Sequence, residues 1–238
     1  MRIPAIKGII RRRLLLNYRV SPEVIQPRLP APFRPKLIHG HAVAGICLIR
    51  LEQVRPLFLP SFLGIQSENS AHRIAVEWED ENGIPKEGVF VPRRDTDSRL
   101  NSLAGGHIFP GVHHHSRFEV TDVNGEISLK VTSHKAPLVE VQARESQTFP
   151  SDSIFDSFEK SSQFFENGCL GYSSRPDSPR LDGLLLKVPE WRASPLEVLS
   201  VKSSFFDDPE LFPPESITFD HALLMRDIPH EWHSEPTL

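Results

Sequence analysis

From Gln66 to Glu79 the chain alternates without interruption. Glu68, Ser70, His72, Ile74, Val76 and Trp78 share one parity, opposite Arg73, Ala75 and Glu77. Successive side chains of a strand point to opposite faces, so this period of two predicts one long strand with an apolar face. A bulge anywhere in the run would flip every residue upstream of it. Asn82-Gly83 follows as a hairpin signal leading into GVFVP, and Asn124-Gly125 is a second, joining a strand at 112–121 to ISLKVTS.

Other segments read the same way. Residues 8–18 predict a strand, followed by a short helix at 21–29 with Ser21 placed to cap it and Pro22 in its first turn. Residues 41–54 are apolar on both parities, as in a strand covered on both faces. LVEVQARE, RLDGLLLK, PLEVLSVKSSFF and SITFDHALLM predict further strands. A turn and short helix are expected from about Asp97, and a second helix over 154–167, closed by Gly168. Few helices among many strands imply a mainly β, α+β chain, in one domain spanning 1–238.

Twenty-two prolines fit that many turns, and a net charge of −4 argues against nucleic acid as a partner. No apolar run is long enough for a membrane helix, and no signal-peptide pattern opens the chain. Cys47 and Cys169 sit in apolar surroundings as buried free thiols, which points to a cytoplasmic location. No phosphate loop, dinucleotide fingerprint or nucleophile elbow occurs, so no organic cofactor is expected.

Three constellations could carry chemistry. In AGGHIFPGVHHHSRFEV (104–120), period two puts His114 on the face of Ser116, Phe118 and Val120, and His113, His115, Arg117 and Glu119 on the other. His113, His115 and Glu119 have the spacing of a cupin metal motif, but no second motif supplies a further histidine. Glu68 and His72 face one way beside Ile74 and Val76, where burial would shift both toward neutral-pH proton exchange. Arg93, Arg94 and Arg99 could hold an anion at a pocket mouth, or pair with Asp95 and Asp97.

AGGHIFPGVHHH resembles the active-site segment of acetoacetate decarboxylases, A-G-G-R-E-I-W-G-F-P-K-K, with the two family lysines falling on His114 and His115. NYRVSPE (17–23) resembles the family's Y-R-T-D-P-E and matches its arginine to Arg19. IQSENSAHRIAV resembles Y-T-E-S-G-Q-V-I-P and matches its glutamate to Glu68. The whole chain is more similar to a bacterial, YqjF-like domain-of-unknown-function family of the same superfamily, through NYRVSPE, HAVAGICLIRL, VPRRDTDSRLN, FFENGCLGY and DHALLMRD. The resemblance implies a closed, cone-shaped antiparallel β-barrel with a few flanking helices.

It also implies a pocket with altered chemistry. The resembled decarboxylation needs a primary amine to form an imine, and imidazole has none. The resulting expectation is a barrel binding a small anionic or carbonyl metabolite. Glu68, His114 and Arg19 would be its acid–base and anchoring groups, and His72, Arg93, Arg94 and His115 further contacts. A cofactor-free lyase, isomerase or hydrolase step is one reading, and a non-catalytic ligand-binding protein, a homo-oligomer or not, is another. A cupin-like metalloenzyme using His113, His115 and Glu119 is the third.

Overall fold

A computed structural model describes residues 5–99, 111–175 and 178–238. Its strands are β1 (Ile6–Val20), β2 (Arg34–Pro35), β3 (Leu37–Ile38), β4 (His41–Pro56), β5 (Ile65–Glu79), β6 (Pro85–Thr96) and β7 (His113–His115). They continue with β8 (Arg117–Val123), β9 (Glu126–Ser133), β10 (Ala136–Glu145), β11 (Leu170–Arg175), β12 (Ser178–Lys187), β13 (Ser194–Ser203) and β14 (Ile217–Glu235). Helix α1 (Pro22–Ile25) runs into a 3-10 turn at Gln26–Arg28, and α2 is Phe158–Asn167. The helices are shorter than the sequence predicts. Ser21 makes no side-chain cap on α1, whereas Ser157 accepts the Lys160 N–H at the start of α2.

Strands β1, β4, β5, β6, β11, β12 and β14 are neighbours in that order, and β14 pairs back onto β1, closing a ring. Beyond β14 the sheet continues through β13, β10, β9 and β8 as an arm. The expected antiparallel barrel is therefore present with one correction. The β6–β11 seam is parallel, through Gly171↔Val89 and Tyr172↔Phe90. β11 arrives after helix α2 rather than through a hairpin, and a crossover of that kind permits parallel entry.

The two faces of the ring bury two different clusters. Leu15, Val43, Cys47, Ala75, Leu184, Leu186, Leu223 and Met225 pack inside the ring, with Phe164 and Phe165 of α2 among them. On the outer face, Leu14, Leu16, Ile46, Leu48, Ile74 and Val76 pack against Ile127, Leu129, Val131, Val139 and Val141 of the arm. β4 is buried on both faces because it lies between these two cores.

Strand parity slips at defined places. β1 shifts register against β4 between Ile10 and Arg12, and β6 shifts against β5 between His72 and Ile74. β7 ends at His115, and β8 leaves the ring at Arg117 to pair with β9. Asn124 (φ 53°) and Gly125 (φ 80°) form the expected tight turn between β8 and β9. Gly105, Gly106 and Pro110 lie outside the described residues, as does the expected helix past Arg99. Among the described residues no helix is long and apolar enough to cross a membrane.

Candidate functional site

The ring interior holds a cavity of about 130 Å³. Arg13 (β1), Arg73 (β5), Arg94 (β6) and His113 (β7) reach it from four strands, beside Cys47 and Asn69. Each arrives there by a local feature of the chain. Arg13 and Arg73 have the parity of the interior residues Leu15 and Ala75. Arg94 does not share the parity of Val89 and Val91, and the β6 register shift turns it in beside them. Gly111, at φ +83°, lets the chain turn where a Cβ would lie 2.8 Å from the Ser173 Cβ, so only glycine fits before His113.

None of the three arginines pairs with a carboxylate among the described residues. Arg13 donates from Nε to the Cys47 sulfur at 3.4 Å and from Nη1 to the Met225 sulfur at 3.8 Å. Among the described residues Arg94 donates only to the Ser173 hydroxyl, at 3.3 and 3.4 Å. Arg73, 4% exposed, donates to Asn17 Oδ1 and lies over the Phe165 ring at 4.6 Å, while its Nε has no hydrogen-bond partner among the described residues. Burial pushes Arg73 and Arg94 down to about 10, which still leaves both charged at neutral pH. Asp95 also lines the cavity, but Arg93 binds it at 2.9 and 3.0 Å and Ser116 donates to it at 2.8 Å.

Burial and the Arg94 charge press His113 down to about 4, so its imidazole is neutral at pH 7. Its Nδ1 lies 3.3 Å from the Gly111 carbonyl, which places the proton on Nδ1 and leaves Nε2 as the basic nitrogen. Both free cysteines line the cavity, and burial raises the Cys169 thiol. No lysine does.

A hydrogen-bonded chain stands behind Arg73. Asp220 Oδ2 holds His221 Nδ1 at 2.6 Å, and His221 Nε2 meets Ser161 Oγ at 2.7 Å and Asn17 Nδ2 at 3.0 Å. Asn17 thus gives its amide hydrogens to His221 and to the Leu15 carbonyl and turns its oxygen to Arg73. Burial keeps His221 low despite its acidic neighbour.

The residues expected to work together do not meet. Arg19 donates to Asp220 at 3.3 Å and to the Asp152 carbonyl, far along β1 from Glu68. Glu68 lies on the outer face, held by Arg12 at 2.7 Å with Arg50 at 4.0 Å. Burial outweighs those cations and raises its carboxyl. His72 shares that face, fully buried against Phe205 and Phe206, with no hydrogen bond at either ring nitrogen and a pKa of about 4 through burial.

Nor does the histidine run behave as the period-two reading expects. His114 keeps the face of Ser116, but it stands beside Asp95 in register, with its ring 6.4 Å from His134, and does not line the cavity. His113 lines it instead. His115 and Glu119 are exposed, Glu119 pairs with Arg117, and no metal-ligand cluster forms among the described residues, so the cupin-like grouping does not assemble. Arg93 binds Asp95 and Ser133, Arg99 is exposed, and Arg94 alone of that trio reaches the cavity. Nothing in the sequence singles out Arg13, Arg73 and Asn17, because their parities also carry polar residues such as Arg11, Asn69 and Glu77.

The chain resembles known structures in fold. Acetoacetate decarboxylase from Legionella pneumophila matches with a TM-score of 0.64 at 11% identity, over 99% of this chain and 88% of that one. An acetoacetate decarboxylase-like enzyme from Sphingomonas wittichii RW1 matches with 0.60 at 13%, over 99% and 92%. The enduracididine biosynthesis enzyme MppR, solved with pyruvate, matches with 0.60 at 12%, over 98% and 88%. No curated protein matches in sequence. The sequence profile of DUF2071, described as an uncharacterized conserved protein, matches residues 10–224, and the chain belongs to that family, built on the acetoacetate decarboxylase-like barrel.

Proposed function

We propose that the barrel interior binds a small carboxylate and that His113 exchanges a proton with it. One observation carries this reading: three guanidinium groups on the cavity wall, none paired with a carboxylate among the described residues. An uncompensated buried ion costs several kcal/mol, and a bound carboxylate offsets that cost through paired, charge-assisted hydrogen bonds. The volume suits a ligand of about six to eight non-hydrogen atoms, since a cavity of roughly 150 Å³ takes benzene. The pyruvate bound to a protein of the same fold supports the same size and charge.

The chemistry open to this wall is acid–base. A neutral imidazole beside an arginine-held carboxylate can remove a proton next to a carbonyl, as in a lyase, isomerase or hydrolase step. An imine route lacks its amine, because no lysine among the described residues lines the cavity. The test is NMR in D₂O with pyruvate and, as a neutral isostere, its methyl ester. Pyruvate should bind, bind more weakly but measurably in Arg94→Gln, and exchange methyl protons faster with wild type than with His113→Phe. Binding without exchange would leave a ligand-binding protein and remove the catalytic part. Equal binding of acid and ester would sink the carboxylate reading.

A further inference from the structure

We infer that the natural ligand is a dianion, two acidic groups on a small carbon skeleton or one doubly charged group, rather than a monocarboxylate. The inference rests on the carboxylate-binding reading and deepens it. It comes from counting charge on the wall. Arg13, Arg73 and Arg94 contribute three positive charges. Asp95 contributes one negative charge that Arg93 already cancels. A monoanion would leave two guanidinium charges uncompensated in a low-dielectric site, whereas a dianion leaves one.

The surroundings keep that charge intact. The partners of Arg13 are sulfur atoms, and that of Arg94 is a hydroxyl. Behind Arg73 the chain could have placed a carboxylate, yet it places Asn17, isosteric with aspartate. Asn17 is held oxygen-forward by His221, and the acidic Asp220 lies one group further back, facing Arg19. The unpartnered Nε of Arg73 marks a donor that waits for an acceptor. His113 and Arg94 stand side by side in register, so an acceptor on Arg94 also comes within reach of the neutral imidazole.

Calorimetric titration of the purified chain with malonate, inorganic phosphate and pyruvate at pH 7.5 tests this. Malonate or phosphate should bind at least about tenfold more tightly than pyruvate, a difference of about 1.4 kcal/mol. Whichever of the two is tighter distinguishes paired carboxylates from a single dianionic group. Asn17→Asp, which supplies one negative charge from the protein, should reduce that ratio to about threefold or less. Asn17 is fully buried, so Arg94→Gln, at a half-buried position, is the second variant and should reduce the ratio likewise. Pyruvate binding as tightly as the dianions would overturn the inference and leave the carboxylate reading standing. No binding by any of the three would overturn both.

Discussion

Three pairs of adjacent residues, Arg12 and Arg13, His72 and Arg73, Arg93 and Arg94, place one member on each face of the same barrel wall. On the outer face the charges are settled. Arg12 holds Glu68 at 2.7 Å, Arg93 holds Asp95, whose carboxylate also borders the cavity, and Arg226 binds Asp122 and Glu145 nearby. His72 avoids charge by staying neutral. On the inner face Arg13, Arg73 and Arg94 have sulfur, amide, hydroxyl and aromatic neighbours and no carboxylate among the described residues. The same residue types one position apart thus serve opposite ends. Outside, cations are neutralised to hold sheet and arm together; inside, they are left for something that comes and goes.

That contrast is easiest to break by removing one arginine from each face. Arg73→Met should cut carboxylate affinity by about 100-fold, the loss of a charge-assisted contact in a desolvated site. It should leave the ligand-free melting temperature unchanged or raised, because a buried unpaired charge is exchanged for an apolar side chain. Arg12→Met should do the reverse. Carboxylate affinity stays within about twofold, while denaturant unfolding shows a loss on the order of 3 kcal/mol, since Glu68 is left buried with only the more distant Arg50. Both variants losing affinity alike would dissolve the distinction between the faces.

His72 sharpens the comparison from the outer side. Its pKa, about 4 in the fold, lies below the unfolded value near 6.5, so the unfolded chain binds the proton first as pH falls. The stability contributed by keeping it neutral is complete above pH 6.5 and is lost progressively toward pH 4. The whole shift corresponds to about 3 kcal/mol. His113 and His230 are lowered to about 4 as well, so they add to the same acid slope. His221 is lowered too, so His72→Leu should flatten that slope only in part between pH 6.5 and 4, and leave pyruvate binding at pH 7.5 unaltered. An unchanged slope would show that His72 is not buried neutral.

The smallest expected effect is none at all. Borohydride reduction in the presence of acetoacetate should give no covalent adduct by mass spectrometry, because no lysine among the described residues lines the cavity. Lys130, the nearest lysine downstream of the histidine run, is half-buried and bound to Glu140 at 2.7 Å. A stoichiometric adduct lost on changing one lysine to alanine would restore imine chemistry.

The sequence was most legible where periodicity alone decides. β4, β5, the Asn124-Gly125 turn and the β9–β10 strands lie where their patterns put them. Parity also sorted His114 with Ser116, and Glu68 with His72 and Ile74, onto common faces. What parity cannot say is which face is the inside of a closed ring. The more apolar face of β5 packs against the β8–β9–β10–β13 arm, so it is a core. Parity points Glu68 and His72 toward that core, and His114 toward the side of Phe118 and Val120, while Arg73 on the opposite parity of β5 enters the pocket. Arg94 was hidden by the β6 register shift, and the break at Ser116 separated His113 from Glu119. Long-range pairing set those offsets, and no local pattern encodes it.

The central claim is that the inner arginines hold a carboxylate, and a crystal structure grown with saturating malonate tests it most directly. The account predicts malonate oxygens inside the ring, at hydrogen-bond distances of about 2.7–2.9 Å from guanidinium nitrogens of at least two of Arg13, Arg73 and Arg94. Malonate found only at the surface, with the ring interior filled by the chain's own acidic side chains against those arginines, would contradict it.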